Sequence, residues 1–202
     1  MIVSHKYGFI FIKTAKTAGT SIEVYLSQFC GPEDIVTPII PQVEPHRPRN
    51  HEAGGFYNHM TALELRCRLA PEIWSGYYKF CVERNPWDKT LSHYHMLRVR
   101  AGGALSLEEY FRNRHFCVNY GLYMDEAGGR MVDRVLRYEN LEGELGEVLN
   151  QLGVPYAGHL PVRAKSEFRL DRRDYREVFL PEQRDEIAGI FSKEIALWGY
   201  RY

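Results

Sequence analysis

Short apolar runs along this chain are followed by segments whose apolar residues recur at helical spacing. Residues 9–12 form an apolar, aromatic and β-branched run that is typical of a buried strand. After a turn of small residues, one helical face is formed by Ile22, Tyr25, Leu26 and Phe29. The stretch therefore predicts a strand, a tight turn and a helix.

The same order recurs further along the chain. Residues 77–83 predict a second strand, and the helix after it has Asn85 as its N-cap and Pro86 in its first turn. The buried stripe of that helix is predicted to be Trp87, Leu91 and Tyr94. Residues 131–138 are a third strand candidate, and a helix follows that stops at Gly153. Such alternation predicts an α/β fold, a three-layer sandwich whose central, mainly parallel sheet has helices on both faces.

The remaining segments are two capped helices, two loops and a C-terminal helix. Capping boxes predict helix starts at Thr61 and at Ser106. Residues 30–58 contain five prolines and read as an irregular loop, and residues 116–131 read as a second loop. The chain is predicted to end in one helix with a single apolar face formed by Ile187, Ile190, Phe191, Ile195 and Trp198.

Composition narrows the class of protein. A chain of 202 residues suits one domain, 1–202, and 26 basic against 26 acidic residues give a net charge of zero. That balance argues against a partner that is nucleic acid or a membrane surface. The sequence has no apolar run of about 18 residues, so no membrane span is expected. Residues 1–6 lack the apolar stretch of a signal peptide, and the four cysteines form no CxxC pair. We therefore expect reduced thiols, a cytoplasmic location and no metal.

The turn between the first strand and its helix carries candidate chemistry. A strand, a small-residue turn and a helix N-terminus can bind a phosphate, and this turn adds Lys16, Thr20 and Ser21. A nucleoside-triphosphate loop would need Gly at position 14 and Lys directly after Gly19, and neither is present. At this point an anion site and a plain connection are both open.

Two further groups could act with this turn. Arg84 ends the second strand and Ser92 lies about two turns into the next helix, so both can contact one anion. Because ligands bind at the carboxyl ends of parallel strands, two anion sites at one sheet edge suggest a ligand with two phosphate-like groups. His59 precedes a helix start and is the best-placed proton acceptor of its segment. Lys165 and Ser166 could close over a phosphate.

Taken together, these motifs resemble those of the sulfotransferases, most closely the bacterial relatives of the glycan-modifying branch that includes heparan 2-O-sulfotransferases. Residues 15–21 are similar to the 5′-phosphosulfate loop of that family. Arg84 and Ser92 have the separation found in its 3′-phosphate motif. The segment around His59 resembles its catalytic-histidine segment. Residues 137–141, 165–166 and 197–200 also match the family pattern, so the resemblance spans nearly the whole chain.

The resemblance implies transfer of a sulfuryl group from 3′-phosphoadenosine 5′-phosphosulfate (PAPS) to an acceptor hydroxyl, with a carbohydrate acceptor expected and PAP as the second product. His59 would be the general base, with His51 and Glu23 as alternatives, and Lys16 would stabilise the leaving phosphate. The cofactor-binding residues it implies are Lys16, Thr17, Ala18, Gly19, Thr20, Ser21, Arg84, Ser92, Lys165 and Ser166.

The sequence departs from the family pattern at three positions. Ala15 stands where Pro is usual, Lys89 where Arg is common, and Glu83 at a strand end that is normally apolar. Glu83 has no evident role beside an anion site. Two other functions are open: a P-loop nucleotide-dependent kinase or phosphotransferase, and a non-catalytic module that binds PAP.

Overall fold

The computed structural model of the protein describes residues 1–162, 171 and 173–202. The predicted phosphate contacts Lys165 and Ser166 lie outside the described residues.

The described strands form one five-stranded sheet in the order β3-β1-β2-β4-β5. The strands are β1 (Ile2–Ser4), β2 (Phe9–Phe11), β3 (Ile35–Val36), β4 (Tyr78–Glu83) and β5 (Arg134–Arg137). β1 pairs antiparallel with β2 and β3, whereas β2 with β4 and β4 with β5 pair parallel. Within this sheet of described strands, four strands therefore run in one direction and β1 runs against them. This confirms the predicted mainly parallel α/β sheet.

Helices lie between the strands along the chain and after the last strand. They are α1 (Gly19–Leu26), α2 (Ala62–Arg68), α3 (Pro71–Gly76), α4 (Pro86–Arg100), α5 (Leu107–Asn113), α6 (Tyr120–Tyr123), α7 (Leu141–Gln151), α8 (Tyr175–Val178), α9 (Pro181–Ile190) and α10 (Ser192–Trp198). A short 3₁₀ turn, Tyr138–Asn140, joins β5 to α7.

Helix starts were the most accurate part of the sequence prediction. Thr61 and Ser106 are N-caps of α2 and α5, and each forms a complete capping box. Pro86 is the first residue of α4, and the Asn85 side chain accepts a hydrogen bond from the Trp87 N–H at 3.1 Å. All three predicted starts are confirmed.

Three predictions about secondary structure are wrong. The stretch 30–58 contains β3, which is only two residues long and exists through backbone pairing with β1. The predicted loop 116–131 contains the short helix α6. The predicted C-terminal helix is two helices, because the backbone at Phe191 leaves helical geometry between α9 and α10 while the apolar spacing continues across the break. Periodicity alone does not register such a break.

The chain divides into two compact units. The first unit consists of Met1–Glu83 and Gly121–Ala164, and the second consists of Arg84–Tyr120 and Lys165–Tyr202. The first unit holds the whole sheet, with β-strand side chains of one face packed in a core with α1 and α7. The second unit has an aromatic core that includes the predicted stripe Trp87, Leu91 and Tyr94, all buried. The organisation of 1–202 as one domain stays a prediction.

Hydrogen bonds to the Asp34 carboxylate connect the turn between β1 and β2 to the segment after α1. This buried carboxylate accepts hydrogen bonds from the Ser4 hydroxyl (2.7 Å) and from the N–H groups of His5 (2.7 Å), Lys6 (3.1 Å) and Gly31 (2.9 Å). Burial alone would raise the pKa of Asp34, but these hydrogen bonds outweigh it and hold the pKa below its usual value.

Asp34→Asn is expected to lower the free energy of unfolding by about 2–4 kcal/mol near pH 7, because an amide NH₂ would face donors. A group with a lowered folded-state pKa stabilises the protein above its unfolded pKa and loses that effect as the pH falls. The difference from wild type should therefore shrink below about pH 4. Urea denaturation at pH 7 and 3.5 measures it, with exposed Glu33→Gln as the control; equal stability of Asp34→Asn and wild type at pH 7 would contradict this role.

Candidate active site

The turn between β2 and α1 has the backbone geometry of an anion cradle. Lys16 (φ 62°) and Ala18 (φ 60°) both adopt the left-handed conformation, which is uncommon for residues other than glycine. Such strained residues concentrate at ligand-binding sites, and successive turn N–H groups can form a concave anion site. Ala18 is the N-cap of α1 and has no side-chain oxygen to cap the first N–H groups of the helix. The predicted strand–turn–helix is confirmed.

Threonine hydroxyls inside the turn hold its shape. The Thr14 hydroxyl donates to the Val82 carbonyl of β4 at 2.5 Å, and the Thr17 hydroxyl donates to the Thr14 carbonyl at 3.1 Å. Thr17 is fully buried, and its hydroxyl is engaged within the turn. Sequence analysis grouped Thr17 with the ligand contacts and missed the structural role of its side chain.

Gly19 is required by a close contact at the start of α1. A Cβ atom at this position would lie 2.8 Å from Cγ of Lys13 and 3.3 Å from the carbonyl oxygen of Thr14. The aliphatic part of the Lys13 side chain therefore passes directly over Gly19. Any larger residue would push Lys13 or the turn away.

Lys13 crosses Gly19 to form a buried ion pair with Glu23 of α1. The two residues are 4% and 0% exposed, and the amino group of Met1 also contacts the Glu23 carboxylate. Burial would raise the pKa of Glu23, but the two cations outweigh it and the pKa is lowered. Glu23 is thus a buried, ion-paired carboxylate, and this argues against it as the alternative base. The sequence does not reveal the pair of Lys13 and Glu23, because no local pattern links the two residues across the turn.

His59 is held by the backbone at the beginning of the same turn. It lies at φ 61°, and its Nδ1 donates a hydrogen bond to the Lys13 carbonyl at 3.0 Å. A carbonyl only accepts, so Nδ1 carries the proton and Nε2 of the neutral ring keeps a lone pair. The side chain is exposed to solvent, yet the protein atoms around the ring desolvate it and, with the charge of Lys13, lower its pKa. The ring is thus neutral near pH 7 and able to accept a proton.

Arg84 directly follows β4 and belongs to the second unit. It is 7% exposed, and its Nε and Nη2 donate to Oδ2 of Asp88 at 2.8 and 2.6 Å. Asp88 and half-buried Ser92 are four residues apart on α4 and therefore lie on one face of the helix. Asp88 is absent from the residues predicted for the site, although its spacing of four residues from Arg84 suggests an ion pair.

Glu83, which has no evident role in the sequence, has a structural partner. This buried carboxylate at the end of β4 accepts a hydrogen bond from the Tyr123 hydroxyl at 3.1 Å. Buried polar groups are tolerated where they are hydrogen-bonded. The tyrosine of α6 therefore accounts for an acid at a normally apolar position.

The basic residues 46–51 are largely structural. Nη1 of Arg49 donates to the carbonyls of Cys30 (3.0 Å) and Gly31 (3.1 Å) just after α1, where a cation is favourable. His46 is fully buried, and exposed Arg47 forms an ion pair with Glu44.

Among residues 1–162, 171 and 173–202, no group of three or more His, Cys, Asp or Glu side chains is arranged to hold a metal ion. None of the helices in these ranges combines the length and apolar character needed to cross a bilayer.

The fold is shared with one solved sulfotransferase. The crystal structure of mouse sulfotransferase SULT7A1 complexed with PAP superposes with a TM-score of 0.56 at 12% identity, covering 96% of this chain and 86% of the mouse chain. A sulfotransferase from Alicyclobacillus acidocaldarius gives a TM-score of 0.49 at 18% identity, covering 96% of each chain. The first likeness identifies the P-loop-like α/β fold of a sulfotransferase.

Sequence similarity places the chain beside one archaeal protein. No model of a protein family matches the chain. A protein of Archaeoglobus fulgidus described as uncharacterized is 33% identical over an alignment of 101 residues, which covers 48% of this chain and 84% of the archaeal protein. The chain belongs to the same family as this archaeal protein.

Proposed function

We propose that the protein is a sulfotransferase that moves a sulfuryl group from PAPS to an acceptor hydroxyl. The observation that carries the proposal is the hydrogen bond from His59 Nδ1 to the Lys13 carbonyl. This hydrogen bond holds the neutral imidazole of His59 against Lys13, in the connection that would bind the phosphate. Nε2 of the same ring can take a proton. A base beside a phosphate-binding turn suits group transfer from a phosphate-linked donor.

We assign the two phosphates of PAPS to two motifs. The 5′-phosphate would contact the N–H groups of residues 18–21 and the hydroxyls of Thr20 and Ser21, with the helix dipole favouring its charge. The 3′-phosphate would contact Arg84 and Ser92, whose spacing in the sequence fits the family motif, and Lys165 with Ser166 would add a further phosphate contact. β2 and β4 are parallel neighbours, and the turn and Arg84 each follow the carboxyl end of one of them.

The chemistry assigned to the side chains is a direct transfer. PAPS supplies an activated sulfuryl group on its 5′-phosphate. His59 Nε2 takes the proton of the acceptor hydroxyl as the acceptor oxygen forms a bond to sulfur. Lys16 stabilises the electron pair that remains on the phosphate oxygen when the S–O bond breaks. The products are a sulfate ester and PAP, with the proton left on His59.

We further propose that the acceptor is a carbohydrate and that the protein is related to the heparan 2-O-type branch. Both proposals rest on the sequence resemblance.

The alternative of a P-loop kinase is disfavoured because the Lys of such a loop is absent after Gly19. A cytoplasmic location is proposed on the free cysteines Cys30, Cys67, Cys81 and Cys117.

A transfer assay tests the proposed activity. The protein is incubated with PAPS carrying labelled sulfur and a panel of oligosaccharides, phenols and small alcohols, and both PAP and the labelled product are measured. We expect label in a product together with an equal amount of PAP. Transfer of phosphate from ATP to the same panel would support the kinase. PAP binding without turnover on any class of acceptor would support the non-catalytic module.

Lys16→Ala is expected to lower the transfer rate by about 10²–10³-fold, because it removes a positive charge from the leaving group. Affinity for PAP should fall much less. Since Lys16 has a left-handed backbone, Lys16→Gly should show the same loss of rate with less strain on the turn. Exposed Lys6→Ala is the control. An effect of Lys16→Ala on PAP affinity alone, with the rate unchanged, would remove Lys16 from the chemical step.

A further inference from the structure

We infer that Lys13 is a positioning residue which, through its buried pair with Glu23, sets the place and protonation of His59. The inference rests on the proposed function for its catalytic meaning, and on contacts within the first unit for its structure. Lys13 lies two residues after the end of β2, in the connection to α1, and neither Lys13 nor Glu23 has a step in the proposed transfer.

The backbone and the side chain of Lys13 serve different neighbours. Its carbonyl accepts the hydrogen bond from His59 Nδ1 at 3.0 Å. Its aliphatic chain packs over Gly19, the first residue of α1, and its ammonium pairs with Glu23 one turn further along that helix. One residue therefore fixes the imidazole and the start of the phosphate-binding helix with respect to each other.

Asn58 adds a second link to the same pair. Its Oδ1 accepts from Nζ of Lys13 at 3.4 Å and from the Thr37 hydroxyl at 3.0 Å, and its Nδ2 donates to the Pro38 carbonyl. Asn58 directly precedes His59. The ammonium of Lys13 therefore contacts the residue before His59, while the backbone carbonyl of Lys13 contacts the His59 ring. A buried pair with this many partners is rigid.

The charges of the pair act on His59 in opposite directions. The charged groups that act on the pKa of its ring are Lys13, the amino group of Met1 and Glu23; the two cations lower the pKa, and Glu23 raises it. Removing one charge should therefore move the pKa of His59 in a direction that identifies the charge removed. A residue that only stabilised the fold would not produce two shifts of opposite sign.

The experiment is an NMR titration of the histidine rings, which needs neither acceptor nor cofactor. His59 is assigned with His59→Asn, and its pKa and tautomer are read from ring carbon and nitrogen shifts in wild type, Lys13→Met and Glu23→Gln. We expect the Nδ1–H tautomer in wild type, a pKa raised by about 0.5–1 in Lys13→Met, and a pKa lowered by a similar amount in Glu23→Gln. Lys13→Arg, which keeps the charge, should stay near wild type.

The outcomes separate this inference from the proposed function. An unchanged pKa of His59 in both variants, shifts of the same sign, or an Nε2–H tautomer in wild type would overturn the positioning role. If Lys13→Met does not fold, Glu23→Gln decides alone, because Gln keeps the size of the side chain. Failure to bind PAP with the expected pKa shifts present would overturn the function and leave the positioning role supported.

Discussion

His59→Ala is expected to lower the rate of sulfuryl transfer by about 10²–10⁴-fold, the range for loss of a positioned general base. The Nδ1 contact with the Lys13 carbonyl leaves Nε2 as the proton acceptor, and alanine has no group to replace it. Affinity for PAP should change little, because His59 is not among the assigned phosphate contacts. Labelled-sulfur transfer and calorimetry with PAP measure the two effects separately.

The backbone at His59 supplies a matched variant. Its φ of 61° suits asparagine better than alanine, so His59→Asn should fold as well as wild type and lose the same rate. Half-buried His51→Ala serves as the comparison and should keep near-normal turnover. Near-normal turnover of His59→Asn together with a large loss in His51→Ala would move the base to His51.

Arg84→Ala is expected to weaken PAP binding by about 10- to 150-fold, which corresponds to about 1.5–3 kcal/mol for charged hydrogen bonds. The guanidinium can present paired donors to a phosphate, and Asp88 fixes its orientation through Nε and Nη2. Binding of adenosine 5′-phosphate (AMP), which lacks the 3′-phosphate, should be nearly unaffected. Calorimetry with both ligands measures the difference.

Arg84→Lys tests whether the fork of donors matters beyond the charge. We expect an intermediate affinity for PAP, because lysine keeps the charge and loses bidentate geometry. Circular dichroism establishes that Arg84→Ala is folded before ligands are compared. An equal loss of PAP and AMP affinity in the folded variant would mean that Arg84 does not recognise the 3′-phosphate.

Local signals account for what the sequence predicted well. Capping boxes at Thr61 and Ser106, and the Asn85–Pro86 start of α4, depend on groups within three residues of each other. The continuous apolar run of residues 9–12 predicts the strand before the turn that leads to α1. These elements place the turn and Arg84 at the ends of parallel strands, which is the part of the candidate site that a sequence can reveal.

The remaining features depend on contacts that no local pattern encodes. β1 and β3 are three and two residues long and form only by pairing, so they carry too little periodicity to be recognised. The passage of Lys13 over Gly19 to Glu23 needs the turn to be folded first. The tautomer of His59 likewise follows from its partner in space, not from its neighbours in sequence.

The proposed function requires that the site bind a nucleotide with a 3′-phosphate and a 5′-phosphate. A calorimetric titration of the wild-type protein with PAP, AMP and ATP tests it without any acceptor. We predict that PAP binds at least about tenfold more tightly than AMP or ATP, which is a difference of about 1.4 kcal/mol. Equal or tighter binding of ATP, or no binding of PAP, would contradict the account.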